Sequence, residues 1–183
     1  MTILVFILVV LATLAVLFLL AGLLMGKKMI IEKNTTINRS PQQVFDYIKY
    51  VKNHENFSVW AMMDPDMKKE YRGTDGQPGF VFAWDSSKKK NVGAGEQEIK
   101  NVVDGKSVEY ELRFFRPMQD TAKAKLVIEP AGANQSRVVW GFNSEMKFPM
   151  NAMKPMIQSM LGKQLETGLQ NLKGVLEKGS TNQ

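Results

Sequence analysis

Residues 37–48, Ile37-Asn38-Arg39-Ser40-Pro41-Gln42-Gln43-Val44-Phe45-Asp46-Tyr47-Ile48, place the end of one element against the start of another. Ser40 stands as an N-cap, Pro41 takes the first helical position and Gln43 closes a capping box. Val44, Phe45, Ile48 and Val51 then recur as the apolar face of a helix. Upstream, Met29–Ile37 is rich in β-branched residues and reads as a strand. Downstream, the polar and aromatic stretch from Asn53 to Trp60 predicts a second short helix or a packed loop.

From Lys68 to Lys147 the pattern turns to β. Val108, Tyr110, Leu112 and Phe114 alternate with Ser107, Glu109, Glu111 and Arg113, the period of a sheet with one wet face. Ala124, Leu126 and Ile128 form a second such row, and Val138, Trp140 and Phe142 a third. Asp104-Gly105 predicts a tight hairpin. Gly73 to Gly76, Asp85 to Asn91 and Pro130 to Asn134 supply further turns, so six consecutive strands form an antiparallel meander. The chain closes on a helical period: Met153, Met156, Ile157, Met160, Leu161, Leu165, Leu169, Leu172, Val175 and Leu176 recur at three and four residues. Pro155 is tolerable near the start of that helix. The sum is an α+β arrangement, a curved antiparallel sheet gripping a long C-terminal helix.

Ahead of this domain, Thr2 to Met25 is apolar and uncharged; the first charged side chain is Lys27. As a helix it reaches about 36 Å, enough to cross a hydrocarbon core of about 30 Å. It lacks the basic start and short apolar run of a cleaved signal peptide, which favours an anchor. Lys27, Lys28, Lys33 and Arg39 follow the span, so the positive-inside rule predicts a single-pass protein with its domain in the cytoplasm. The expected organisation is an anchor over 2–25, a basic juxtamembrane segment over 26–28, the domain over 29–178 and a polar tail over 179–183.

The absence of cysteine among the 183 residues excludes disulfides, thiolate zinc sites and cysteine nucleophiles, and one histidine excludes a metal site needing two imidazoles. No metal or cofactor is expected. A net charge of +6 permits nucleic-acid binding. No helix-turn-helix, zinc finger or ribonucleoprotein motif accompanies it, and Lys88-Lys89-Lys90 reads better as a solvated turn or a contact with an anionic leaflet.

Several stretches together resemble the SRPBCC superfamily, the START-like helix-grip fold, within its polyketide cyclase/dehydrase and lipid-transport group. They are residues 37–48, the Trp60 region, Val92-Gly93-Ala94-Gly95, Arg116-Pro117, Val139-Trp140 and Gly168-Leu169-Gln170-Asn171-Leu172-Lys173. The resemblance spans Met29 to Glu177. It implies a deep cavity between sheet and terminal helix, used by relatives for lipids, polyketides or other apolar molecules. Those relatives include enzymes and plain carriers, and the fold itself selects neither.

Candidate cavity residues are Trp60, Trp84, Gln97, Tyr110, Met156 and Met160. The three tryptophans, Trp140 included, suit either an apolar pocket or core packing. Gln97 shares a strand face with Ile99, opposite Glu96, Glu98 and Lys100; pointing inward, it needs a partner from protein, water or ligand. Met153, Met156 and Met160 form a polarizable stripe, fit for a pocket wall or an ordinary core face. Gly93-Ala94-Gly95 lacks the third glycine of a dinucleotide loop and suits a bend or close backbone approach. His54, beside Glu55, reads as a surface residue, since a general base needs a cavity partner. Asp64-Pro65-Asp66 reads as a turn. The leading expectation is a non-enzymatic, membrane-anchored domain that binds a hydrophobic small molecule or lipid. The alternatives are a cyclase- or dehydratase-type enzyme using the same cavity, and an interaction or stress-response protein whose cavity is vestigial.

Overall fold

Ser40 caps its helix as the sequence predicts: its hydroxyl accepts from the Gln43 amide, and the Gln43 side chain accepts from the Ser40 N–H. The computed structural model describes residues 2–178, so the expected polar tail lies outside the described residues. In chain order the elements are α1 (Thr2–Leu24), β1 (Lys28–Ile37), α2 (Pro41–Ile48), a 3-10 helix (Val51–Asn56) and α3 (Val59–Met62). There follow β2 (Lys68–Arg72), β3 (Val81–Asp85), β4 (Ala94–Val103), β5 (Ser107–Arg116), β6 (Asp120–Gly132) and β7 (Gln135–Glu145). A second 3-10 helix (Met150–Met153) leads into α4 (Lys154–Lys178).

The strands form one seven-stranded antiparallel sheet in the order β1-β7-β6-β5-β4-β3-β2. Six of them follow the chain as a meander. β1 closes the far edge beside β7, with Lys28 opposite Glu145 and Ile37 opposite Ser136. The predicted turn at Pro130–Asn134 is shorter than expected. β6 continues to Gly132 through a register shift between Pro130 and Gly132, because a bulge lets the ladder absorb the proline.

The curved sheet holds α4 against one face. Leu169 and Leu172 of α4 are fully buried with Val44, Phe45 and Ile48 of α2 and Ile99, Val108 and Leu126 of the sheet. Gly168 permits that approach: a Cβ there would lie 2.9 Å from the Trp140 ring. The other sheet face is polar. Arg113 bonds Glu96, Glu98 and Glu111, and Arg72 reaches Glu96 as well. One end of α4 is therefore packed solid, while the other leaves space beneath it.

Among the described residues one helix, α1, is long and apolar enough to cross a membrane. Among its residues only Gly22 is buried.

Candidate functional site

The space beneath α4 is a cavity of about 520 Å³. Its sheet wall is built from the inward rows of β3, β4 and β5: Phe82 and Trp84, then Gln97, then Tyr110, Leu112 and Phe114. The α4 wall is Ile157, Leu161 and Leu165, and α3 contributes Trp60. Trp60, Trp84 and Phe114 meet edge to face, with centroids 6.5, 6.0 and 5.9 Å apart. Such edge contacts fix large rings without filling the space between them. Trp84 is held further by its indole N–H, which donates to the Val92 carbonyl at 3.3 Å. Gly95 makes this seat possible: a Cβ would lie 2.7 Å from the Trp84 ring and 2.5 Å from the Arg113 carbonyl oxygen. The close backbone approach expected of the Gly93–Gly95 stretch is thus present, at a register shift between Ala94 and Gly95.

Of the candidate residues, Trp60, Trp84, Gln97 and Tyr110 border the cavity. Met156 and Met160 do not; they point to solvent at 60% and 51% exposure. The reason is helical phase. Each lies one residue, about 100° of rotation, from Ile157 and Leu161, which take the wall. Met153 likewise lies off the cavity.

His54 corrects the sequence reading. It is 6% exposed, not a surface group, and it borders the cavity. The 3-10 helix turns its ring inward, where it meets Phe57, Tyr110 and Trp140 at centroid distances of 5.0, 5.4 and 6.5 Å. The Tyr110 hydroxyl donates to the Ile48 carbonyl at 3.3 Å and lies 3.4 Å from His54 Nε2. Burial lowers the His54 pKa to about 4, against the opposing pull of the Ile48 carbonyl and the Asp75 charge. Burial also pushes the Tyr110 phenol well up. Both groups are therefore uncharged at neutral pH.

A second polar group borders the cavity at Glu55. Burial raises its carboxyl, but hydrogen bonds from Lys69 at 2.8 Å and from Tyr71 outweigh that and hold it below the usual range. Asp64 and Asp66 form the turn that their spacing predicts, with the Asp66 amide donating to Asp64 and Ser86 closing on it. Among the described residues, no group of three metal-ligating side chains comes together. The buried Trp60 indole N–H also lacks a hydrogen-bond acceptor among them.

Sequence reasoning overlooked His54, the loop 116–120 at the cavity rim, and Ile157, Leu161 and Leu165. For the last three the signal was present, a spacing of four residues on one helix face. Of the three rings against His54 only Phe57 is near in sequence; Tyr110 and Trp140, which complete its burial, come from β5 and β7.

Comparison with solved structures places the fold among known ones. Norcoclaurine synthase from Thalictrum flavum, in complex with dopamine and hydroxybenzaldehyde, superimposes with a TM-score of 0.65 at 8% identity, covering 88% of this chain and 93% of that one. A protein of unknown function from Staphylococcus aureus gives 0.64 at 13% identity, over 85% and 98%. A protein from Thermus thermophilus gives 0.58 at 16%, over 83% and 99%. These likenesses are of fold alone. No curated protein matches the sequence. The family described as polyketide cyclase/dehydrase and lipid transport matches residues 29–177, and the chain, an SRPBCC-type helix-grip domain behind an apolar helix, belongs to it.

Proposed function

We propose that this protein is a membrane-anchored domain that binds one hydrophobic small molecule or lipid in the cavity between sheet and α4, without transforming it. The observation that carries the reading is the cavity itself. Its volume of about 520 Å³ lies within the range of small-molecule sites, roughly 300–1,000 Å³, and aromatic and aliphatic side chains dominate its walls. Burial of an apolar ligand there contributes about 25 cal/mol for each Å² removed from water. The few polar groups fix its orientation: Gln97, the His54–Tyr110 pair and the unpaired Trp60 N–H offer hydrogen bonds to one polar head. α1 supplies the anchor, and the lysines that follow it favour a cytoplasmic domain.

The same groups argue against proton transfer. A general base works best with a pKa near the operating pH, and His54 at about 4 is too weak a base. Tyr110, pushed up, is too weak an acid. Neutral hydrogen bonding suits them better than catalysis. The norcoclaurine synthase likeness carries no activity across at 8% identity.

The test is extraction of the purified full chain and mass spectrometry of what is released, with titration of a fluorescent fatty-acyl probe. An apolar species in stoichiometric amount and saturable probe uptake are expected. An empty cavity that also refuses the probe overturns the reading. Chemical change of a released species on incubation with the protein overturns the non-enzymatic part.

A further inference from the structure

The strand register brings the cavity rim and α1 to the same end of the molecule. Lys28, the first residue of β1, pairs with Glu145 at the end of β7, and Ser144 pairs with Ala122 near the start of β6. Asp120 pairs with Phe114 near the end of β5, and Arg116 pairs with Ala94 at the start of β4. The cavity is bordered at this end by Arg116–Asp120 and by Glu145–Lys147 with Met150. Its mouth therefore opens where α1 joins the domain.

That junction is held by several hydrogen bonds. Buried Asn151 donates through Nδ2 to the carbonyls of Gly22 and Met25 at 2.6 and 2.7 Å. Lys154 Nζ donates to the Gly26 carbonyl at 2.7 Å, and the Met146 amide to that of Lys27 at 2.9 Å. Phe148 packs on Gly22. The chain from 146 to 154 is thus fastened to the last turn of the apolar helix. With α1 across a bilayer, the mouth stands at headgroup level.

The surface at this end has matching chemistry. Phe115, Met118 and Phe148 are each about half exposed. The β3–β4 turn on the same end carries Lys88, Lys89 and Lys90; Lys88 also bridges to Asp66 at 3.1 Å. Apolar side chains that enter the acyl boundary, beside lysines that meet anionic headgroups, are the two components of interfacial binding.

We propose that this end of the domain is a bilayer-docking face, so that an apolar ligand passes between the leaflet and the cavity without crossing bulk water. The proposal rests on the reading of α1 as a span and of the cavity as a ligand site. The chain has no cysteine, so single cysteines introduced as Phe115→Cys and, at the opposite end of the sheet, Asp104→Cys can each carry an environment-sensitive fluorophore. The full chain is reconstituted into phosphatidylcholine–phosphatidylglycerol vesicles containing brominated acyl chains. Strong quenching at 115 and little at 104 is expected; equal quenching at both positions overturns the docking face. The route is tested with Lys88→Gln combined with Lys90→Glu, since each lysine near an anionic surface is worth about fivefold, equivalent to about 1 kcal/mol. Transfer of a fluorescent fatty-acyl probe from the anionic vesicles should slow at least about tenfold, while occupancy from a cyclodextrin-delivered probe stays unchanged. An unaltered transfer rate overturns the route. A probe that enters from neither source overturns the cavity reading, and the contrast between 115 and 104 still decides the docking face.

Discussion

His54 is held neutral by burial, and that has a pH signature. With a folded pKa of about 4 against an ordinary 6.5, neither folded nor unfolded chain carries the proton above pH 6.5. As pH falls below 6.5 the unfolded chain takes it up and the folded one does not, so stability drops, by about 2 kcal/mol by pH 5. The carboxylates held low by cations, Glu55, Glu96 and Glu98, withdraw their support only below their unfolded value of 4.5, which leaves the interval from 6.5 to 5 to the histidine. Urea unfolding at pH 7 and pH 5 should show this loss in the native protein and a far smaller one in His54→Gln. Gly95→Ala tests the aromatic wall. Its Cβ meets a carbonyl oxygen at 2.5 Å and the Trp84 ring at 2.7 Å, so backbone or indole must move. A cost of about 1–3 kcal/mol is expected, with a shift in tryptophan emission; unchanged stability and emission would mean that the sheet absorbs the methyl freely. The close backbone approach at Gly95 was legible in its own stretch of small residues, but the burial of His54 was not. Phe57 is three residues from His54, but the rings that complete its enclosure lie 56 residues away at Tyr110 and further still at Trp140, whereas Gln97 could be placed inward because alternation along one strand is local.

At the scale of elements the sequence was easy to read, since capping, turn chemistry and periodicity act over a few residues. The capping box at Ser40, the Asp104–Gly105 hairpin and the inward row Val108–Tyr110–Leu112–Phe114 all depend on neighbours in the chain. α4 shows where such reading ends. Its apolar residues form two adjacent stripes, and periodicity alone does not choose which one the sheet covers. Packing chose Ile157, Leu161 and Leu165 for the cavity and Leu169 and Leu172 for the core, leaving Met156 and Met160 outside. Alanine substitutions along this helix should therefore fall into three groups by thermal and urea unfolding. Leu169→Ala and Leu172→Ala are expected to cost about 2–5 kcal/mol, because the hole stays unfilled. Leu161→Ala, already bordering open space, should cost less than about 2 kcal/mol and weaken the fatty-acyl probe. Met160→Ala should change stability by no more than about 0.5 kcal/mol. A loss at Met160 as large as that at Leu169 would put its side chain in the packed core after all.

At the scale of the molecule, the apolar helix and the domain are separate pieces of chemistry joined at one seam. The core draws on residues from Met29 onward and none from α1. The division was legible because charge is absent before Lys27. The seam was not, since Asn151 and Gly22 lie 129 positions apart. Removal of residues 1–26 should accordingly leave a soluble domain that unfolds cooperatively. The cut strips Asn151 of its two carbonyl partners and Lys154 of one, but water replaces them at the new surface, so the cost should stay below about 2 kcal/mol. The truncated domain should take up the fatty-acyl probe from solution as the full chain does, because no residue of α1 lines the cavity. If α1 is the anchor and the rim docks as proposed, its attachment to vesicles should fall from permanent to salt-sensitive and reversible. Circular dichroism melts and vesicle flotation at low and high salt measure both halves. A truncated chain that aggregates without a cooperative transition would make α1 part of the folding unit. One that never floats with anionic vesicles, even at low salt, would overturn the rim as a membrane contact.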